Sequence, residues 1–150
     1  MNIIDLPIKI LSENASLPTY GSIDAAGMDL YACLPEDETI IIPCGETRKI
    51  PTGITTAIPK GYVGLVYARS GLATKEGLAP ANKVAVIDAD YRGEWFIPLH
   101  NHSNEPRYVS KGERIAQCII QPFYHANFEI VENLDNTERG EGGFGSTGTM

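Results

Sequence analysis

Asp88 ends an apolar, β-branched run, Val84-Ala85-Val86-Ile87, and Tyr91 follows three residues later. Asn82 stands just ahead of the run. The chain turns through residues 88–93 and returns as Glu94-Trp95-Phe96-Ile97. Two strand-like runs joined by turn-forming residues predict a hairpin. One amide, one acid and one ring beside a slot between strands suit a flat polar ligand held next to a water-activating group. An Asp-rich turn is more often only a turn, so other stretches must decide.

Four other stretches carry polar groups where chemistry could use them. Ala68-Arg69-Ser70-Gly71 follows a strand-like run and opens a short helix. It offers a guanidinium, a hydroxyl and free backbone N–H groups, which together favour an anion. Ser70 could equally serve only as a helix cap. In Ala25-Ala26-Gly27-Met28-Asp29-Leu30-Tyr31, Gly27 is expected to permit a bend, with Asp29 beginning a strand. Taken singly, Asp29 reads as a surface turn carboxylate. The stretch Lys111-Gly112-Glu113-Arg114-Ile115-Ala116-Gln117-Cys118-Ile119-Ile120 suits a buried strand, yet holds Arg114 and Gln117. Polar groups there must find partners, and Arg114 alone reads as half of a structural ion pair.

The last stretch runs Glu138-Arg139-Gly140-Glu141-Gly142-Gly143-Phe144-Gly145-Ser146-Thr147. Arg139, Phe144, Ser146 and Thr147 among glycines suit wrapping of a flat phosphorylated ligand. The spacing is not that of a P-loop. Extended, this tail reaches about 40 Å, enough to close a site on another subunit. His100 and His102 share one strand face, but no third metal ligand stands near them in sequence. His125 reads as structural.

Elements must position these groups. Short β-branched or aromatic runs recur between Gly and Pro signals: residues 8–11, 39–42, 53–58, 62–67, 84–87, 95–99, 115–120 and 128–131. Many short strands imply an all-β sandwich or barrel. One helix of one or two turns is expected near residues 71–76. Pro98 lacks a ladder donor, which puts its strand at an edge or a bulge. At 150 residues the chain is expected to form one domain, with a β core over residues 1–137 and a mobile tail over 138–150. A domain of this size buries roughly 68–70% of its unfolded surface.

Net charge −7 argues against a general nucleic-acid surface, though placed arginines can still build a local phosphate pocket. No apolar run is long enough to span a membrane. The opening residues, broken by Asp5 and Pro7, do not suggest a signal peptide. Cys33, Cys44 and Cys118 are scattered, without CxxC spacing, and read as small buried hydrophobes of a cytoplasmic protein.

In this order, the five stretches resemble the trimeric dUTP pyrophosphatase (dUTPase) family, from about residue 8 to residue 147. The most specific pieces are Val86-Ile87-Asp88-Ala89-Asp90-Tyr91-Arg92-Gly93-Glu94 and Arg139-Gly140-Glu141-Gly142-Gly143-Phe144-Gly145. The resemblance implies a β jelly roll and a homotrimer whose sites are each built from three chains. It implies Mg²⁺-dependent hydrolysis of dUTP to dUMP and pyrophosphate, which limits uracil incorporation into DNA and supplies dUMP for thymidylate synthesis.

By the same resemblance Asp88 is the general base, and Arg69, Ser70 and Gly71 contact phosphates. Asn82 and the backbone of Ala85, Val86 and Ile87 read the uracil edge. Tyr91 lies against the deoxyribose, and Phe96 lines the same pocket. Asp29 and Gln117 touch the metal through water. Arg139 meets the γ-phosphate, Phe144 covers the base, and Ser146 and Thr147 add phosphate contacts.

Ala68, Ala85 and Pro98 depart from the family's usual Pro, Gly and non-Pro residues, and Ala85 bears most directly on base affinity. A dCTP deaminase shares the implied fold, but the Tyr-bearing hairpin and the Gly-Phe-Gly tail favour dUTPase. A non-catalytic nucleotide-binding trimer is disfavoured by retention of Asp88.

Overall fold

The structure, a computed structural model, describes residues 3–143. Within them the strands are β1 (Ile8–Ile10), β2 (Thr19–Tyr20), β3 (Met28–Tyr31), β4 (Thr39–Ile42), β5 (Thr47–Pro51) and β6 (Ile54–Thr56). They continue as β7 (Tyr62–Tyr67), β8 (Leu78–Pro80), β9 (Ala85–Ile87), β10 (Phe96–Asn101), β11 (Arg107–Ser110) and β12 (Arg114–Pro122). One π-type helical turn, Leu72–Glu76, follows β7, where the short helix was expected. The fold is all-β and jelly-roll-like. No helix of the described residues is long and apolar enough to cross a membrane.

The sheets have the orders β2-β3-β12-β7-β9, β5-β10-β8, β1-β6 and β11-β4. Strand alternation builds the core. Met28 and Leu30 face inward from β3, while Asp29 and Tyr31 face outward. Ile97 and Leu99 do the same from β10 and pack with Trp95, each 1% exposed or less. Burying side chains of this size stabilises by about 1.5–3 kcal/mol each. β12 pairs with β3 on one side and β7 on the other, which sets Gln117 between Asp29 and Tyr67.

Four expectations need correction. The runs at 84–87 and 94–97 do not pair as a hairpin. β9 pairs with β7, while β10 pairs with β5 and β8. The two arms meet only at their base, where the Ala81 N–H donates to the Pro98 carbonyl at 2.7 Å. Pro98 lies in a central strand, with unbroken register against β5. Its missing N–H falls on the β8 side, one residue past the end of that pairing, and this helps the arms part.

Residues 128–131 form no strand and pair with no sheet edge among the described residues, and Phe128 and Ile130 are 89% and 99% exposed. The bend expected at Gly27 is present, and a Cβ there would fall 2.6 Å from Gln117 Oε1. Finally, Cys44 is exposed, whereas Cys33 and Cys118 are buried.

Burial pushes the Cys118 thiol up to about 12, so it stays protonated and unreactive at neutral pH. One thiol per chain is therefore expected to react rapidly with a disulfide reagent in native buffer, and three after denaturation. Fast labelling of Cys118 in the native protein would contradict this packing.

Candidate active site

Where β9 and β10 part they leave a cleft of about 340 Å³. Ala85, Val86, Ile87 and Asp88 form one wall, with Phe96 and Pro98 opposite, and Trp95, Asn82 and Tyr91 are among the other lining residues. β9 is the last strand of its sheet, so one row of its N–H and C=O groups has no strand partner. Such an edge can hydrogen-bond the rim of a flat heterocycle as it would another strand. Asp88 is exposed at the end of β9, open to water and ligand.

The turn beyond Asp88 is tied down internally. The Tyr91 N–H donates to the Asp88 carbonyl at 3.2 Å. Arg92 donates to the carbonyls of Ala89 and Tyr91 at 2.8 and 3.0 Å. Glu94 accepts from the Gly53 N–H at 2.8 Å, which anchors the returning arm. The Tyr91 hydroxyl donates to the Glu94 carbonyl at 3.0 Å, leaving its ring as an apolar surface at the cleft. Gly93 makes room for that ring, since a Cβ there would fall 2.5 Å from Tyr91 Cζ. At the other end Lys83 holds a left-handed φ of 65°, a costly conformation for a residue with a Cβ, beside Asn82.

A second cluster lies on the outer face of the five-stranded sheet. Asp29 Oδ1 accepts from Arg69 Nε at 2.8 Å, and Oδ2 accepts from Arg114 Nη1 at 3.1 Å. Arg69 Nη1 also donates to the Arg114 carbonyl at 3.1 Å. Gln117 Nε2 donates to the Ala68 carbonyl at 2.9 Å and so pins the backbone from which Arg69 emerges. Two guanidiniums against one carboxylate leave a net positive charge. Ser70 and Gly71 follow Arg69 on the surface, and no side-chain bond caps the helical turn. The cluster is therefore suited to an anion.

A directly bound metal does not fit these residues. Both Asp29 oxygens already accept from arginines, and no group of three His, Cys, Asp or Glu among the described residues could hold an ion. The donor set fits Mg²⁺ only as an outer contact through water, to an ion held chiefly by phosphate oxygens. His100 and His102 do meet, with ring centroids 4.4 Å apart, and Thr47 bonds His100 Nδ1 at 2.9 Å.

The candidate residues thus fall into groups that one chain does not join. Asn82, Ala85, Val86, Ile87, Asp88, Tyr91 and Phe96 share the cleft, while Asp29, Arg69, Ser70, Gly71 and Gln117 do not line it. Among the described residues Arg139 bonds within its own turn, from Nε to the Gly142 carbonyl at 2.8 Å. Phe144, Ser146 and Thr147 lie outside the described residues. Lys49 was not anticipated. It lines the cleft with Nζ 3.9 Å from the centre of the Phe96 ring, and only the β5–β10 register brings it there. Glu94 was also missed as a cleft residue, although a carboxylate three positions after Tyr91 was a local signal.

An edge-strand cleft with a carboxylate at its rim, and an arginine cluster elsewhere on the same all-β scaffold, define a nucleotide-hydrolase class of site. The comparisons agree. A family model described as dUTPase matches residues 13–148. The chain is 51% identical over 148 residues to a deoxyuridine 5'-triphosphate nucleotidohydrolase of Syntrophotalea carbinolica, covering 99% of each. It is 48% identical over 151 residues to one from Maricaulis maris, again with 99% of each covered. The dUTPase of Staphylococcus bacteriophage 80alpha, solved with dUPNHPP, superposes with a TM-score of 0.86 at 31% identity. That match covers 96% of this chain and 98% of the phage chain. A mutant dUTPase from phage phi11 of S. aureus, described with a structural Mg(II) ion, gives 0.77 at 27% identity, over 87% and 98% of the two chains. The chain belongs to the dUTPase family.

Gly93→Ala is expected to destabilise the protein by about 1–3 kcal/mol, because the added methyl must displace the Tyr91 ring. Chemical denaturation checks this. Stability and tyrosine near-ultraviolet dichroism both equal to wild type would contradict the contact.

Proposed function

We propose that this protein hydrolyses dUTP to dUMP and pyrophosphate in a homotrimer whose sites are assembled from more than one chain. One observation carries the reading. Ile87 is opposite Gly64 in the β9–β7 register, so Asp88 stands level with Val63, six residues from Arg69 along the same strand direction. At about 3.3 Å per residue this separates them by roughly 20 Å. In-line attack on the α-phosphorus needs the water-activating base and the neutralising cations around one triphosphate. Asp88 of one chain beside Arg69 of another meets that need.

In this arrangement the cleft takes the nucleoside. Asn82 and the free edge of Ala85, Val86 and Ile87 hydrogen-bond the uracil rim, which rejects cytosine because its donors and acceptors are swapped. Phe96 lines the opposite wall of the same pocket. The Tyr91 ring packs on the deoxyribose, where a 2′-hydroxyl would be crowded and unpaired. Asp88 orients a water and takes its proton as that water attacks the α-phosphorus. Arg69 and the N–H groups of Ser70 and Gly71 hold phosphate oxygens. Bound Mg²⁺ would supply charge neutralisation at the phosphates, with Asp29 and Gln117 touching its waters.

The tail completes the site. Residues 1–137 form the body and 138–150 the closing segment of one domain. Arg139 meets the γ-phosphate, Phe144 covers the base, and Ser146 and Thr147 add phosphate contacts. Closure excludes water and strengthens each polar interaction. The exposed apolar residues Tyr124, Phe128, Ile130 and Leu134, between 84% and 99% exposed in one chain, support burial against a neighbouring subunit. A cytoplasmic location suits an enzyme acting on the nucleotide pool.

Pyrophosphate release from dUTP, UTP, dTTP and dCTP, with and without Mg²⁺, tests the assignment. Turnover should be confined to dUTP and stimulated by the ion, and ammonia release from dCTP would overturn it. Asp88→Asn should cut kcat by a factor of about 10²–10⁴, the usual contribution of general base catalysis, while dUTP still binds. Truncation before Glu138 should leave the trimer intact in sedimentation but severely reduce turnover. Dissociation into monomers would contradict the assigned role of the tail.

A further inference from the structure

Arg114 has no role in the chemistry above, yet the chain goes to some length to place it. β12 pairs Ala116 with Leu30, but Arg114 with Tyr31, so Ile115 is an extra residue and the strand bulges there. Without the bulge, strict alternation would send the Arg114 side chain to the same face as Ala116, which is fully buried. With it, Ile115 and Ala116 are both buried, and Arg114 turns out onto the face that carries Asp29 and Tyr31. The bulge therefore aims one guanidinium at one carboxylate.

The bonds made there converge on Arg69. The Arg114 side chain holds Asp29 Oδ2 at 3.1 Å, which turns Oδ1 to Arg69 Nε at 2.8 Å. The Arg114 backbone carbonyl accepts from Arg69 Nη1 at 3.1 Å. Arg69 is thus gripped along one edge by two acceptors, both governed by residue 114, and its remaining N–H groups have no partner among the described residues. The Asp29 side chain is only 14% exposed, so its attraction to both cations is less screened than at an open surface. Arg114 is 51% exposed and can be changed without opening the core.

We propose that Arg114 is a positioning residue for phosphate binding, acting through Asp29 to pre-orient the Arg69 guanidinium. This rests on the reading of Arg69 as a phosphate ligand. A freely rotating arginine must lose its rotamer freedom when the nucleotide binds, whereas a clamped one has already lost it. Arg114→Met keeps most of the side-chain bulk and removes the grip on Asp29. Arg114→Lys can still donate one bond to Oδ2.

The test uses the full-length enzyme and titration calorimetry with a non-hydrolysable imido analogue of dUTP and with deoxyuridine. Arg114→Met should weaken the analogue about ten-fold and leave deoxyuridine unchanged. Arg114→Lys should restore most of the affinity. In an Arg69→Met background, adding Arg114→Met should change analogue binding less than two-fold, because the residue through which it acts is gone. Wild-type affinity in Arg114→Met overturns the proposal. So does a double variant whose loss is the product of the two single losses, since Arg114 would then contact phosphate independently.

A second readout needs no nucleotide. The Arg69 Nε–H resonance should exchange slowly with water in the wild type and rapidly in Arg114→Met. Equal exchange in both proteins refutes the clamp. If the wild type neither bound nor hydrolysed dUTP, the dUTP reading would fail, and this exchange comparison would still decide the clamp.

Discussion

The antiparallel pairing of β9 on β7 is the constraint on which the rest of the structure depends. It fixes Asp88 near one end of β7 and lets Arg69 emerge beyond the other. Strand register cannot drift by a residue without turning every side chain to the opposite face, so this separation is as rigid as the core beneath it. The cleft and the anion-suited cluster are each well formed in one chain. What one chain lacks is their juxtaposition. In the proposed trimer, assembly contributes part of the catalytic geometry as well as stability, and burial of the exposed apolar segment after β12 belongs to the same proposal.

Within each half, polar groups are organised before any ligand arrives. The Tyr91 hydroxyl, the Glu94 carboxylate and the Arg92 guanidinium are all spent on holding the turn beyond Asp88. Asp29 is spent on two arginines, and Gln117 on the backbone before Arg69. Groups held this way need little rearrangement when a charged substrate binds. The chain carries net charge −7, yet this cluster is locally positive. A polyanionic substrate is met by placement rather than by overall charge.

Much of this was legible in the residues because the signals were local. Short β-branched and aromatic runs identified β7, β10 and β12, and turn chemistry placed the bend after Asp88. The Arg69-Ser70-Gly71 turn leads into a short helix as its spacing implied. Pairing partners were not legible. Residues 84–87 and 94–97 look like two arms of one hairpin, but each pairs elsewhere, β9 on β7 and β10 on β5. Lys49 reaches the cleft only through that second pairing. The bulge before Ala116 leaves no mark in composition, so Arg114 read as an isolated ion pair rather than as part of a three-residue clamp. Residues 128–131 have strand composition but form no strand within the one chain.

Mixing two inactive variants tests the split site most directly. Asp88→Asn and Arg69→Met should each be nearly inactive alone. Refolded together at equal ratio, they should recover about a quarter of the wild-type rate, the fraction of sites in which random assembly pairs an intact Asp88 with an intact Arg69 from a neighbouring chain. If the mixture remained as inactive as its components, both residues would have to come from one chain, and the account would be wrong.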